Sequence, residues 1–500
     1  MKKIKNIVML SLLAVVLSTT SCSDFLNVNT DPNHATTGNI TPNLIFTQAE
    51  NAVGTRQANR FVFLNNWMGY WSRSGTFIVE QEETTYKVAN TFSETDWDQA
   101  YDILMDLNQV KTRALAVNDS VLTGASIVLS AKLWQETVDQ FGSIPYSKTF
   151  DYLNNSRPAY DKATDIYTDL YKQLDQAIVY LNAISPKSTF AATDIIFARG
   201  GSIPTAIAQW KKLANTIKLR MFIRQSQMSG FVAPTAAQLS KIATDGGFLG
   251  AGEDVSVQPG YSNQVGKQNP FYGSFGFTPA GAPASTNNMP NNYFVNIILG
   301  STDPRLDQFY AAPVQGTDYG SLAGNKNAVG GLPVIVGSAI NAGTATQDQF
   351  ILPSYESLFF QAEAAARGWI TTSTPQALFE SAIYQSFVSL GVPDAYTADT
   401  TYIKSEPTAM WANAGTSVTS QVQFIAYQKY IALCGIDAVE SWSDLRRGVL
   451  LLPAGYLSNN VNRAASLPNV LPYPQTELTV NSVNMPKRTD IFSEKLFWQP

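Results

Sequence analysis

Acid–base chemistry on a sugar needs two carboxylates flanking a glycosidic bond, and the early acidic cluster that could supply them is Glu82, Glu83, Asp96 and Asp98. Adjacent Glu82 and Glu83 diverge on either a helix or a strand, so a solvated surface is the expected role. The single histidine, His34, lies in a Pro/Asn/Thr-rich stretch, which leaves no material for a His-based triad or a multi-histidine metal site. There is no G-x-x-x-x-G-K-[ST] loop to cradle phosphate and no cysteine pair for zinc. Asp and Asn are plentiful enough for a carboxylate-and-carbonyl calcium site, but no EF-hand spacing directs one. No catalytic residue, metal site or cofactor is therefore expected, and the chain reads as a binding protein, not an enzyme.

The stronger chemical signal is aromatic. Trp67, Tyr70, Trp71, Phe77 and Tyr86 lie close together, mixed with Asn65, Asn66, Arg73, Ser74 and Glu80. Sugar rings offer C–H faces to aromatic planes and hydroxyls to amides and charged groups, so such a mixture suits carbohydrate. Trp67 and Trp71 are four apart, a spacing that also makes a helical core stripe. Trp67 is assigned to that stripe, whereas Trp71 and Phe77, near the Ser74-Gly75 break, are expected to reach a surface. A second candidate is the loop Asn269-Pro270-Phe271-Tyr272-Gly273-Ser274-Phe275-Gly276-Phe277, followed by Asn287-Asn288-Met289-Pro290-Asn291-Asn292-Tyr293. Four aromatics in a Gly/Pro-rich loop either pack back onto a scaffold or cover a ligand. The predicted site is an aromatic platform of Trp71, Phe77, Tyr272 and Phe275, with Arg73, Asn287 and Asn288 as hydrogen-bonding neighbours.

Several segments have the periodicity needed to position such loops. After Asp161, the residues Ile166, Leu170, Leu174, Ile178 and Leu181 line one helical face, with Asp161 or Thr164 as the cap. After Pro353, Tyr355, Leu358, Phe359, Ala362, Ala366 and Trp369 form another, with Ser354 as N-cap and Gly368 near the end. Similar helices fit 95–116, 121–140, 204–228, 375–390 and 420–433. They fall into adjacent pairs of about tetratricopeptide length, without the consensus repeat. Between 229 and 352 Gly, Pro, Asn and Ser dominate, predicting long loops with short strands or helices, where ligand contacts concentrate. The stretch from Ala454 to Pro500 is expected to wrap the helical body without adding a core element.

The chain begins with Lys2, Lys3 and Lys5, an apolar run from Ile7 to Leu17, and Ser18-Thr19-Thr20-Ser21 before Cys22. An apolar run this short cannot span a bilayer, which needs roughly 20 residues; it reads as a signal peptide over residues 1–21. Cys22 then reads as a lipidated anchor, since stable tethering takes more than one acyl chain. Ser23-Asp24 resembles the acidic start of surface-exported lipoproteins. Only 15% of residues are charged and 11% are aromatic, and the net charge is −5 without a basic run, which sets nucleic acid aside as a partner. Cys434, in an apolar stretch, is expected to be buried as a small hydrophobe.

Stretches in order along the chain resemble the SusD/RagB family of nutrient-binding outer-membrane lipoproteins, especially its second sequence branch. They include Cys22-Ser23-Asp24-Phe25-Leu26, Asn29-Thr30-Asp31-Pro32, Ala131-Lys132-Leu133-Trp134 and Phe141-Gly142-Ser143-Ile144-Pro145-Tyr146. They continue with Trp210-Lys211-Lys212-Leu213-Ala214-Asn215, Leu219-Arg220-Met221 and Asp303-Pro304-Arg305-Leu306. Gln361-Ala362-Glu363-Ala364-Ala365-Ala366-Arg367-Gly368 and Glu440-Ser441-Trp442-Ser443-Asp444-Leu445-Arg446-Arg447 are the most telling. The resemblance implies a mainly α fold: a TPR-like helical-pair scaffold with a loop-rich ligand-binding region. It divides the chain into the signal peptide, an anchor and linker over 22–42, and one SusD-like domain over 43–500. It further implies a surface-exposed, lipid-anchored protein of the outer membrane that binds a glycan or oligosaccharide and partners a SusC-like TonB-dependent transporter. Peptide capture on the same scaffold, or a secreted glycoside hydrolase, are the competing readings. Glu363, Trp442 and Arg446 are assigned to structural contacts within the helical body.

Overall fold

The computed structural model describes residues 40–74, 81–151, 153–183, 188–300, 302–311, 314, 316–321 and 344–500. Its N-terminal half runs α1 (Pro42–Asn59), α2 (Val62–Trp67), β1 (Trp71–Arg73), α3 (Gln81–Thr85), α4 (Glu94–Ala116), α5 (Ser120–Phe141), β2 (Ile144–Pro145), β3 (Tyr160–Asp161), α6 (Ala163–Asn182), α7 (Ser188–Thr193) and α8 (Ile203–Gln225). The loop-rich part carries α9 (Ala236–Thr244), β4 (Val255–Val257), α10 (Pro270–Phe275), β5 (Asn288–Pro290), a π-helical turn (Phe294–Leu299), α11 (Leu306–Phe309) and β6 (Gln349–Leu352). Helices resume with α12 (Ser354–Ala366), α13 (Pro375–Leu390), α14 (Ala395–Ser405), α15 (Val418–Ala432), α16 (Ala438–Arg446) and α17 (Gln475–Val480). The expected signal peptide, Cys22 and His34 lie outside the described residues. None of the described helices is long and apolar enough to cross a membrane.

The fold is mainly α, and the predicted long helices are present, each with ends within a few residues of the expected ones. α4 packs on α5 and α5 on α6, while α12 packs on α13 and α15, giving the antiparallel pairing of a TPR-like scaffold. The α6 stripe Ile166, Leu170, Leu174, Ile178 and Leu181 is wholly buried. A side chain at Gly124 of α5 would meet the Ala177 carbonyl at 2.9 Å and Leu181 at 2.7 Å, so glycine sets how closely α5 approaches α6. Two expected caps are corrected. Lys162 stands at the N-cap of α6 without a side-chain bond, because Asp161 is already bound to the Tyr146 and Ser147 amides at 3.1 and 2.7 Å. Pro353 precedes α12, and Ser354 is its first residue, where its amide and hydroxyl both donate to Asp254.

The helical body is unusual in burying charge. Arg224 binds Asp139 at 2.9 Å and Glu440 at 2.5 Å, Lys429 binds Glu440 at 2.9 Å and Asp444 at 2.7 Å, and Arg447 binds Asp444 and Glu363 at 2.6 and 2.5 Å. Burial pushes the Glu363 carboxyl up, but the Arg447 and Arg367 guanidiniums outweigh it and hold it at about 2. Trp442 is fully buried under the Arg446 guanidinium, 3.4 Å from its ring centroid, and Arg446 also donates to the carbonyls of Asp139 and Asn469. Glu363, Trp442 and Arg446 are thus structural. The C-terminal stretch wraps this body with one short helix and contributes a side chain to the core, Trp498, whose indole N–H donates to Asp139 at 2.9 Å. Cys434 is buried, accepts or donates a bond with Tyr310 at 3.3 Å, and burial pushes its thiol up.

Candidate functional site

β1 and β5 form an antiparallel two-stranded ladder with Trp71 opposite Pro290, Ser72 opposite Met289 and Arg73 opposite Asn288. The ladder joins the two aromatic–amide stretches singled out in the sequence, although more than 200 residues separate them. Arg73 Nη1 donates to Asn288 Oδ1 at 2.8 Å and Arg73 Nη2 to Glu83 Oε2 at 2.8 Å, and the Ser74 amide donates to the Asn287 carbonyl at 2.8 Å. Glu83 is held further by the Asn66 amide at 2.6 Å. It is therefore a buried anchor of the ladder, contrary to its expected place on a solvated surface, while Glu82 is exposed.

Two of the platform's four aromatics, Trp71 and Phe275, are corrected. Trp71 is only 2% exposed and packs its indole on Phe271 and Phe275 at centroid distances of 6.0 and 5.6 Å. Phe275 is buried in the same cluster, and Asn288 is buried under Arg73. The reason lies in α10: Asn269 Oδ1 caps it by accepting the Tyr272 amide at 2.9 Å, and this single turn carries Phe271 and Phe275, four apart, onto one inward face against Trp71. Tyr272, on the other face, is half-buried and tilts towards Phe277 at 6.5 Å. Asn287 and Arg73 are half-buried as well. Phe77 and Glu80 lie outside the described residues. Trp67 is fully buried, as expected, with its indole N–H on the Glu83 carbonyl at 3.0 Å.

Just past β5 the chain opens a pocket of about 230 Å³ lined by Asn291, Asn292, Tyr293, Asn296, Asp318 and Asn459, among others. Asn291 Oδ1 accepts the Tyr293 amide at 3.0 Å, a local turn that starts the π-helical turn. That turn buries Phe294, Ile298 and Leu299 and leaves Asn296 and Ile297 exposed; such turns recur at functional sites. Asn292 Nδ2 donates to the exposed Asp318 at 2.7 Å. Asn291 Nδ2 is buried without a hydrogen-bond partner among the described residues. Tyr293 stands between Gly69 and Gly455, where added side chains would meet its ring at 2.9 and 3.3 Å, and its hydroxyl donates to the Pro453 carbonyl at 3.0 Å. Burial, with Tyr427 and Tyr456 adding, pushes its phenol up, so it stays neutral. Asn291, Asn292 and Tyr293 belong to the Asn-rich run noticed in the sequence. Asn296, Asp318 and Asn459 carried no local signal there.

Such a pocket offers amides, a carboxylate and aromatic edges, groups that can hydrogen-bond a polar, hydroxylated surface. The fold that carries it is that of SusD-like proteins. A chitin-binding SusD homologue from Flavobacterium johnsoniae superimposes with a TM-score of 0.72 at 21% identity, covering 91% of this chain and 98% of that one. A SusD homologue from Bacteroides fragilis gives 0.70 at 21% identity, with 92% and 99% covered. A SusD/RagB family protein from Bacteroides thetaiotaomicron gives 0.70 at 16% identity, with 92% and 99% covered. No match is found among curated protein sequences. The chain belongs to the SusD-like family described as starch-binding and associating with the outer membrane, whose profile matches residues 31–474. That is a family of binding proteins, not of enzymes.

Proposed function

We propose that this protein is a lipid-anchored receptor on the cell surface that captures a neutral glycan beside the β1–β5 ladder and passes it to a SusC-like TonB-dependent barrel. The observation that carries the reading is the pocket of amides, carboxylate and tyrosine rings built by residues 291–297, 318–319 and 455–459 in a SusD-like chain. Asn292, Asn296, Asp318 and Asn459 answer ring hydroxyls, and Tyr293, Ile297 and Leu457 meet the C–H faces. Arg73, Asn288 and Glu83 position the ladder, and Tyr272 and Asn287 flank it. Cys22 carries the lipid. A lone anchor gives a captured solute no route across the membrane, which is the argument for the barrel.

Titration calorimetry with a panel of neutral oligosaccharides tests the site. Asn296→Ala and Asp318→Ala each remove one hydrogen-bonding group from an exposed rim, and a loss of about 1–2 kcal/mol, roughly five- to thirtyfold in affinity, is expected. Melting behaviour should stay at wild type. Full affinity in both variants would move the site elsewhere. Cys22→Ala should move the protein from the membrane to the soluble fraction and abolish lipid labelling; unchanged retention would remove the anchor from the proposal.

A further inference from the structure

A hollow in the helical body shares no residue with the ladder pocket. It has a volume of about 490 Å³ and lies between α4, α5, α6 and the loop that follows β2. Small-molecule sites occupy roughly 300–1,000 Å³, a range this hollow meets. One wall is aromatic: Trp134 meets Tyr146 at 5.0 Å and Phe150 at 6.2 Å between ring centroids. Phe150 holds φ at 69°, in the left-handed region that bulky residues avoid and that clusters at functional sites when the surroundings enforce it. The start of the loop that leads to Phe150 is held in place. Asp161 accepts the Tyr146 amide at 3.1 Å, the Ser147 amide at 2.7 Å and the Ser147 hydroxyl at 2.9 Å, and Asp169 accepts the Tyr146 hydroxyl at 2.7 Å.

Those bonds occupy Asp161 and Asp169 within the protein. Gln173 is spent too, its amide donating to Tyr146 and Asp169, and Ser130 donates to the Ser126 carbonyl; the polar groups left in the lining are Lys111, Asn108, Thr149 and the exposed Asp165. Lys111 is half-buried and makes no hydrogen bond or ion pair among the described residues, and Thr149 Oγ1 is buried without a partner. Burial lowers the Lys111 pKa, and Asp169 opposes that only in part. A desolvated donor, a free hydroxyl and an amide around an aromatic wall are left for an outside molecule to satisfy. Three carboxylates against one ammonium in the lining disfavour an anionic occupant.

From this geometry we infer that the hollow between α4, α5 and α6 is a second binding site, independent of the ladder pocket, that takes a neutral saccharide. The ring's C–H face lies on the half-buried Phe150, with the buried Trp134 behind it, its hydroxyls accept from Lys111 and Asn108, and one donates to Asp165. The reading rests on the proposed glycan capture for its ligand class but not for its location.

The test is calorimetry on the full-length mature chain with maltohexaose, cellohexaose, chitohexaose and mannohexaose as probes and hexagalacturonate as the anionic control. Two variants perturb the hollow: Lys111→Met removes the charged end group and keeps an unbranched side chain one atom shorter, and Ser130→Trp fills the space. Asn296→Ala reports on the ladder pocket. A neutral probe should bind at two sites per chain, with the hollow variants weakening one of them at least tenfold at unchanged melting temperature and Asn296→Ala weakening the other. Circular dichroism must show both hollow variants folded; if Ser130→Trp unfolds, Lys111→Met alone decides. One site per chain, lost in Asn296→Ala and untouched by Lys111→Met, overturns the second site while leaving capture at the ladder intact. Tighter binding of hexagalacturonate than of any neutral probe overturns the ligand class. Unaltered glycan binding in Lys111→Met, with loss of a co-purifying barrel, also overturns it and assigns the hollow to a protein partner. Failure of every probe to bind overturns both readings.

Discussion

Trp71 is the residue on which sequence and structure disagree most usefully, and Trp71→Ala separates the two. A buried aromatic side chain withdraws roughly 150–250 Å² from water. At about 25 cal/mol per Å² that is on the order of 4–6 kcal/mol, lowered by roughly 10–40% because the unfolded chain already buries part of it. Alanine retains a small share, and the edge-on contacts with Phe271 and Phe275 at 6.0 and 5.6 Å add about 0.5–1.5 kcal/mol per pair. The expected loss is about 4 kcal/mol, in line with measured aromatic-to-alanine costs of about 3–5 kcal/mol. With an unfolding entropy of about 2.1 cal/mol/K per residue over the roughly 420 described residues, that is a fall in melting temperature of about 4–5 °C. Trp71→Phe, which keeps most of the volume, should cost less than half as much. Thermal and urea denaturation followed by far-UV circular dichroism, run beside glycan calorimetry on the same samples, measure stability and affinity together. A melting curve identical to wild type, together with a tenfold or greater fall in glycan affinity, would refute the buried assignment and restore Trp71 to an exposed platform.

Glu440→Gln should destabilise the chain by about 3 kcal/mol, because it removes one of the two carboxylates that neutralise each of the buried Arg224 and Lys429 cations, at 2.5 and 2.9 Å, and leaves them Asp139 and Asp444 alone; a loss under 1 kcal/mol in chemical denaturation would contradict the network. Asp96 sits buried near Arg56, and burial, opposed by Arg56 and Arg60, raises its carboxyl to about 6. A raised carboxyl binds its proton more tightly when folded, so its contribution is present below about pH 4 and is lost as pH rises through about 6. Asp96→Asn should therefore gain stability over wild type between pH 4 and 8, by up to about 3 kcal/mol for two pKa units; parallel stability profiles across that range would count against the shift. Gly320→Ala should destabilise the pocket rim, since a side chain there would meet Ser458 Oγ at 1.9 Å and the residue holds φ at 76°; a melt matching wild type would show that the rim relaxes freely.

Helices were legible in the sequence because their signal is local. Ile166, Leu170, Leu174, Ile178 and Leu181 repeat at the period of one helical face, and burial follows from that spacing whatever the rest of the chain does. The order of family-like stretches fixed the scaffold in the same way, and Glu363, Trp442 and Arg446 fell into the helical body with it. What an aromatic in a loop does is a different kind of question. Trp71 and Phe275 carry the same composition whether they face water or each other, and the choice is made by a cap at Asn269 and a ladder that pairs Arg73 with Asn288. Asp318 and Asn459 join Asn292 only because the Asn292 amide meets the Thr317 carbonyl and the Asn459 amide meets the Tyr319 carbonyl. The sequence by itself determined the helices, their inward faces and the membership of the chain in a binding family, since these rest on periodicity and on ordered motifs. The tertiary structure alone decided which polar and aromatic side chains stand together at a surface, because those neighbours are set by long-range backbone pairing that no local spacing records.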